Sequence, residues 1–237
     1  MRLPAALRSI LKRVPGLRAL VRWWHDPDLW ALDRSLARGT SLGVLQPYTT
    51  TSEDRYPALF DRLAAELAGR DAPRVLSFGC SGGEEVRALR RRLPDAWIVG
   101  VDVNPRALAR ARRRDRHPRS SYLVGDRPPP GQPFDAVLAL AVFRHGALRG
   151  DKPDGSAGVL PFARVAKAFA SLDAALRPGG ALAWGNAHFR LADMPGGGRY
   201  TLIETTADLD PFEVAYGPDD RRLPPSGERG GLYRKLG

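Results

Sequence analysis

Five short apolar runs constrain this chain more than any other feature: RVLSFG from Arg74, AWIVGVD from Ala96, SYLVGD from Ser121, FDAVLALAV from Phe134 and GALAWGNA from Gly180. Each ends in glycine, aspartate or another small or polar residue, as buried strands do where they turn back to the surface. Between them EEVRALRRRL, NPRALARARRRD and LPFARVAKAFASLDAAL place apolar residues at helical spacing. Strands that alternate with helices demand right-handed βαβ units, hence a mainly parallel sheet with helices on both faces. Ligands of such sheets bind beyond the carboxyl ends of the strands, where the strand order reverses.

Upstream, Ser52 followed by Glu53 and Asp54 reads as the start of a helix carried by PALFDRLAAELAG. Downstream of Gly196, RYTLIET, FEVAYG and GLYRKL are the remaining strand candidates and suggest an antiparallel addition that closes the sheet. Residues 1–40 form a separate basic arm, with Leu3, Leu7, Ile10, Leu11 and Val14 on one helical face and Arg2, Arg8, Lys12 and Arg13 largely on the other. Two readings of the arm stay open. With Trp23 and Trp24 it suits the surface of an anionic membrane; as a buried amphipathic helix it packs on the body or caps the mouth of a site.

Composition bounds the setting. The net charge of +11 comes almost wholly from arginine, and no aromatic-rich recognition motif accompanies it, so a nucleic-acid partner rests on charge alone. The clusters Arg90 to Arg92 and Arg112 to Arg114 read as solvated helix faces at least as well as a polyanion site. Cys80 is the only cysteine, which rules out an intramolecular disulfide and suits a reducing cytoplasm. No uninterrupted apolar stretch reaches the length of a membrane span, and the N-terminal residues lack a signal-peptide pattern. A cytoplasmic protein is expected, membrane-peripheral if the arm binds lipid. His25, His117, His145 and His188 are scattered, without metal-ligand spacing to the lone cysteine, so no metal is expected.

The loop after the first run, Gly79-Cys80-Ser81-Gly82-Gly83, lets backbone approach a ligand closely, but it lacks the dinucleotide spacing and any phosphate-binding lysine. Glu84 and Glu85 follow at a helix N-terminus, where they satisfy the dipole a phosphate would use. The loop therefore favours a cationic, phosphate-free nucleoside. Asp102, about one βα unit further on, is placed to accept from both ribose hydroxyls, and Asp126 adds a third strand-end feature facing an exocyclic amine.

Taken together these pieces resemble the class I S-adenosylmethionine-dependent methyltransferases over roughly residues 70–187. VLSFGCSGGEE resembles that family's first motif, with Gly79, Ser81 and Gly83 on its small-residue positions; VGVDVNPRAL resembles the second and VGD the third. FDAVLALAVFRHG is similar to the fourth strand and LRPGGALAW to the helix end, turn and fifth strand. The resemblance implies a Rossmann-like, mainly parallel seven-stranded α/β sheet over residues 41–237, with its core in 70–190. It also implies S-adenosylmethionine bound by Gly79, Cys80, Ser81, Gly83, Asp102, Val103, Asp126 and Ala141. One position departs from the family: Ser77 stands where an acidic residue usually precedes the first glycine. The loop is in that respect similar to the chemotaxis-receptor methyltransferases, which likewise combine serine, phenylalanine and two glutamates.

Methyl transfer needs an aligned acceptor and, for a protonated one, a base. His145, close to the position of a histidine common in small-molecule methyltransferases, is the candidate base; closing a turn is its alternative role. Asn186, His188 and Arg190, after the fifth strand, are the candidate acceptor-binding residues. A small-molecule acceptor is the leading expectation, with an RNA acceptor or a catalytically silent cofactor-binding module as rivals.

Overall fold

The computed structural model describes Leu32, Arg34, Gly43, Leu45, Gln46 and residues 51–149, 154–211 and 214–237. The amphipathic stretch through Trp23 and Trp24, and with it the membrane-surface reading of the arm, lies outside the described residues. Seven strands form one sheet: β1 (Arg74–Phe78), β2 (Trp97–Asp102), β3 (Ser120–Val124), β4 (Phe134–Leu140), β5 (Leu176–Gly185), β6 (Tyr200–Glu204) and β7 (Gly231–Lys235). Their order is β3-β2-β1-β4-β5-β7-β6. The first five run parallel, while β7 is antiparallel to both β5 and β6. The order reverses between β1 and β4, so the crevice at their carboxyl ends is the switch point where a ligand is expected.

Side-chain alternation explains the two layers. Leu76, Phe78, Val99, Val137, Leu182 and Trp184 turn to one face and join Val165, Phe169 and Leu172 of α4 (Phe162–Ala175). Val75, Ile98, Ala136, Leu138 and Ala183 turn to the other face, against Leu59, Phe60 and Leu63 of α1 (Pro57–Glu66), Val86 and Leu89 of α2 (Glu84–Arg92) and Leu108 of α3 (Pro105–Arg114). β4, between β1 and β5, is buried at every residue, as a parallel strand covered on both faces must be. At the site end of β5, Trp184 stacks on Phe143 at 4.6 Å and meets Phe169 edge-on at 5.7 Å. Its indole N–H donates to the Phe189 carbonyl at 3.0 Å, so the ring ties the loops after β4 and β5 to the core.

Three local expectations are corrected. The helix carried by PALFDRLAAELAG begins at Pro57, in the first-turn position where a missing N–H costs nothing, not at Ser52. Glu53 and Asp54 instead reach α2, pairing with Arg91 at 2.6 Å and Arg92 at 2.7 Å. The described part of FEVAYG, from Val214, joins no strand of the sheet: Val214 and Tyr216 are buried, and Tyr216 forms an isolated bridge to Arg222. The arginine clusters are more than solvated faces, because Arg90 donates to the carbonyls of Pro94 and Ala96 at 2.8 Å each and to that of Arg119 at 3.0 Å. Arg92 joins Asp54 and Asp61, and Arg112 donates to the Tyr122 carbonyl at 2.5 Å. Among the described residues no helix is long and apolar enough to cross a membrane.

Candidate functional site

The loop leaving β1 is held from beneath. The N–H groups of Gly79 and Cys80 both donate to the Val101 carbonyl, at 2.7 and 3.1 Å, which draws the loop over the end of β2. Gly79 sits at φ +75, and a Cβ there would come within 2.5 Å of Val142 Cγ2, so both conformation and space require glycine. The turn brings Ser81 N–H to 2.8 Å from Asp102 Oδ2, while Asn104 N–H donates to Asp102 Oδ1 at 2.8 Å. Asn104 in turn caps α3 by accepting from the N–H groups of Arg106 and Ala107. Both Asp102 oxygens are thus oriented by backbone N–H groups.

A cleft of about 870 Å³, its mouth included, opens above these strand ends. Gly79, Cys80, Ser81, Asp102, Val103, Asp126 and Ala141, all expected to meet the cofactor, line it. Gly83 does not. It caps α2 at φ +79, and a Cβ there would lie 2.9 Å from both Ala111 Cβ and Tyr122 Oη, so its smallness serves the packing of α2 on α3 and β3. Cys80 is buried, and burial pushes its thiol well above its usual range, leaving a small neutral wall residue.

The sequence reading missed Glu85 as a part of the wall. Ser77, wholly buried on β1, donates its hydroxyl to Glu85 Oε1 at 2.6 Å, and Glu85 lines the cleft. A carboxylate missing at one end of the strand is thereby supplied from the first turn of α2. Burial raises the Glu85 carboxyl to about 7, with the Ser77 hydrogen bond and the Arg55 charge offsetting part of the cost. Burial also works to raise Asp126, but the Gly43 N–H at 2.8 Å and the Arg127 guanidinium at 3.2 Å outweigh it and hold that carboxyl below its usual range. Among the described residues the cleft therefore presents Glu85, Asp102 and Asp126 together with Arg55. Small backbone, an oriented carboxylate at the end of β2 and two further carboxyl groups fit a nucleoside with a cationic tail.

Residues before the first described helix complete the wall. Leu32 and Leu45 are buried in it, Gly43 donates to Asp126, and Gln46 Nε2 donates to the Ala141 carbonyl at 2.5 Å. These residues span the mouth from the end of β3 to the end of β4, and Leu32 lies before the expected boundary at residue 40.

Beyond Ala141 lies a second cavity with two lobes. One is lined by Gln46, Arg55, Ala141, Arg144, Gly146, Arg149 and Asp210, and the other shares Arg144, Arg149 and Asp210 and adds Asn186, Ala187, His188 and Pro211. Asn186 stands at φ +49, a costly conformation for a residue with a side chain and a common one at functional sites. It is 6% exposed, its Nδ2 donates to Tyr56 Oη at 2.7 Å, and its Oδ1 has no hydrogen-bond partner. His188 reaches the same cavity wall, but its ring nitrogens face the carbonyls of Val214 at 2.9 Å and His145 at 3.2 Å, a strut between loops.

Two expected residues stand elsewhere. His145 lines neither cavity; its Nδ1 accepts from Ala147 N–H at 3.2 Å and closes the turn after β4. Arg190 lies on a different surface hollow beside Tyr200 and Leu202, in ion pairs with Asp193 and Glu228 at 3.3 Å each.

Residues 76–182 match the family described as "Methyltransferase domain". The chain is 30% identical over 181 residues to the 27-O-demethylrifamycin SV methyltransferase of Amycolatopsis mediterranei, a match covering 73% of this chain and 59% of that protein. It is 34% identical over 104 residues to the trans-aconitate 2-methyltransferase of Methylobacterium radiotolerans, covering 38% of this chain and 39% of the relative. A 61-residue stretch is 44% identical to the tRNA (guanine-N(7)-)-methyltransferase of Chloroflexus aggregans, 26% of each chain. Each match spans less than two thirds of the relative's own length.

Proposed function

We propose that this chain, whose residues 76–182 are a methyltransferase domain of the Rossmann-like class I type, transfers a methyl group from S-adenosylmethionine to a small-molecule acceptor. The observation that carries the reading is Asp102: its two oxygens are fixed by the N–H groups of Ser81 and Asn104, opposite a glycine loop that admits no side chain at Gly79. Such a carboxylate accepts from vicinal ribose hydroxyls, and Asp126 stands one strand further along for the base. Glu85, at the other end of the cleft, supplies a negative charge for an ammonium.

When bound, the cofactor supplies a methyl group on a positively charged sulfur, open to a single in-line displacement. The protein's part is to orient both partners and exclude water. Gln46, Arg55 and Ala141 are shared by the cleft and the second cavity, so an acceptor in that cavity meets the cleft at these residues. The rifamycin and trans-aconitate relatives, named for small-molecule acceptors, support the same class of acceptor here. An RNA acceptor gains little from the basic charge, since Arg90, Arg92 and Arg112 serve the fold.

The test is twofold. Calorimetry with S-adenosylmethionine and S-adenosylhomocysteine is expected to give one site per chain, and methyl-labelled cofactor is expected to label the small-molecule fraction of a bacterial lysate. Label confined to RNA would replace the acceptor class, and absence of cofactor binding would remove the reading altogether.

A further inference from the structure

We infer that Arg55 binds the carboxylate at the amino-acid end of the cofactor, beside Glu85, which takes the ammonium on the same carbon. The inference rests on the methyltransferase reading of the cleft. Strand order sets the sequence of groups along the wall: Asp126 follows β3, Asp102 ends β2, Glu85 is tied to β1 through Ser77, and Ala141 follows β4. With the base at Asp126 and the ribose at Asp102, the amino-acid end falls at Glu85 and beyond. Arg55 stands there. It lines the cleft with Glu85 and the adjoining cavity with Ala141, and its charge is near enough to offset part of the cost of burying the Glu85 carboxyl.

The two opposite charges share one end of the cleft without closing on each other. Glu85 turns Oε1 to Ser77 on β1, while the partly buried Arg55 holds its guanidinium over the Tyr56 ring, 5.3 Å from the centroid. That ring is itself fixed: it is buried, meets Phe60 edge-on at 6.1 Å and accepts from the Asn186 amide at 2.7 Å through its hydroxyl. Attraction to an aromatic face positions a guanidinium without using its N–H donors. A cofactor carboxylate brought to a wall that holds Glu85, Asp102 and Asp126 is repelled unless a cation stands beside it. The paired donors of a planar guanidinium match that carboxylate in geometry as well as in sign.

The experiment is calorimetry at pH 8 on the full chain with S-adenosylhomocysteine, its decarboxylated analogue, its deaminated analogue, and methylthioadenosine, which lacks both charged groups. The parent is expected to bind S-adenosylhomocysteine at least about tenfold more tightly than the decarboxylated analogue, the scale of one charge-assisted hydrogen bond. R55Q is expected to lose about that factor for S-adenosylhomocysteine and for the deaminated analogue, and nothing for the decarboxylated one. E85Q is expected to show the complementary pattern, with losses for S-adenosylhomocysteine and the decarboxylated analogue alone. R55K, which keeps the charge without the paired donors, is expected to fall between R55Q and the parent. Methylthioadenosine is expected to bind parent and variants alike, which also reports that the variants are folded. If R55Q binds S-adenosylhomocysteine as the parent does, Arg55 belongs to the acceptor side and the inference is overturned. Losses of equal size for every ligand, or a parent that holds the decarboxylated analogue as tightly as S-adenosylhomocysteine, would overturn it too. Failure of the parent to bind either S-adenosylhomocysteine or methylthioadenosine would strike the methyltransferase reading instead.

Discussion

The cleft above β2 and β3 and the cavity beyond Ala141 share a wall and differ in the charged side chains that line them. Among the described residues, Glu85, Asp102, Asp126 and Arg55 line the first, and Arg55, Arg144, Arg149 and Asp210 line the second. A cleft rich in carboxylates favours a cationic partner, which leaves the adjoining cavity to the other partner. The regions also differ in construction. The cleft stands on strand ends whose geometry the sheet dictates, whereas the cavity is made from the loops after β4 and β5 and the segment that folds over the mouth.

The sharpest way to separate the two regions is Asp102→Ala. Losing a charged acceptor while leaving Ser81 and Asn104 N–H groups without it is expected to cost about 1.5 to 3 kcal/mol of cofactor binding, roughly ten- to a hundredfold in affinity. The KM for the acceptor at saturating S-adenosylmethionine is expected to stay unchanged. Calorimetry and steady-state kinetics check the two sides, and equal losses on both would merge the two regions into one site.

Glu85→Gln comes next, and its effects run in opposite directions. The Glu85 carboxyl lies near 7 in the folded protein and is lowered on unfolding, so its burial favours folding fully at low pH and that advantage disappears as pH rises through 7. At pH 8 the ligand-free variant is expected to be about 2 to 3 kcal/mol more stable than the parent, by the relation of about 1.4 kcal/mol per pKa unit, and at pH 4 no more stable. Cofactor affinity is expected to fall about tenfold at pH 8; the parent is expected to bind more tightly as pH rises from 6 to 8, and the variant is expected to lose that rise. Denaturant melts and calorimetry across that range test the pair of effects; a parent whose affinity is flat with pH would remove Glu85 from contact with the cation.

Smaller still is Tyr56→Phe, which leaves the Asn186 amide without its one partner. About 1 kcal/mol is expected on the cavity side, read as a severalfold rise in KM for the acceptor with cofactor affinity unchanged. Tyr56 itself lines the cleft, so a loss confined to cofactor binding would show that its hydroxyl acts there and not through Asn186.

How much of this was legible in the sequence follows from the same contrast. Asp102, Asp126 and the glycine loop announce themselves because a parallel strand must end in a turn, and the residue there faces the crevice wherever the helices pack. Glu85 reads locally as a helix N-terminal acid; only the close fit of α2 on β1 carries it to Ser77. Motif spacing alone cannot distinguish a glycine that lines a ligand from one that, like Gly83, lets α2 approach Tyr122. Arg55, Tyr56, Arg144 and Arg149 carry no periodic signal, since their meeting depends on loop paths, and the same dependence sets His145 at a turn and Arg190 on another hollow. FEVAYG has a strand's alternation, yet Val214 and Tyr216 are buried outside the ladders of the sheet.

The smallest expected effect concerns the segment that joins the two regions. Gly43 donates to Asp126 and Gln46 to the Ala141 carbonyl, with Leu45 between them and Leu32 buried in the wall below, so these residues bridge the cleft at both edges. Removing one hydrogen bond by Gln46→Ala costs about 0.5 to 1.5 kcal/mol at most. If the segment closes over bound cofactor, that cost falls on the closed state, and stopped-flow measurements are expected to show dissociation two- to tenfold faster with association little changed. If it is merely part of the fold, the loss is expected in denaturant stability and dissociation stays as in the parent. Deleting residues 1–40 extends the contrast, because it takes Leu32 from the wall while leaving Gly43 and Gln46 in the chain. Weaker cofactor binding by that truncated protein supports a cap over the mouth; intact cofactor binding together with lost affinity for anionic vesicles would assign the arm to a membrane surface instead.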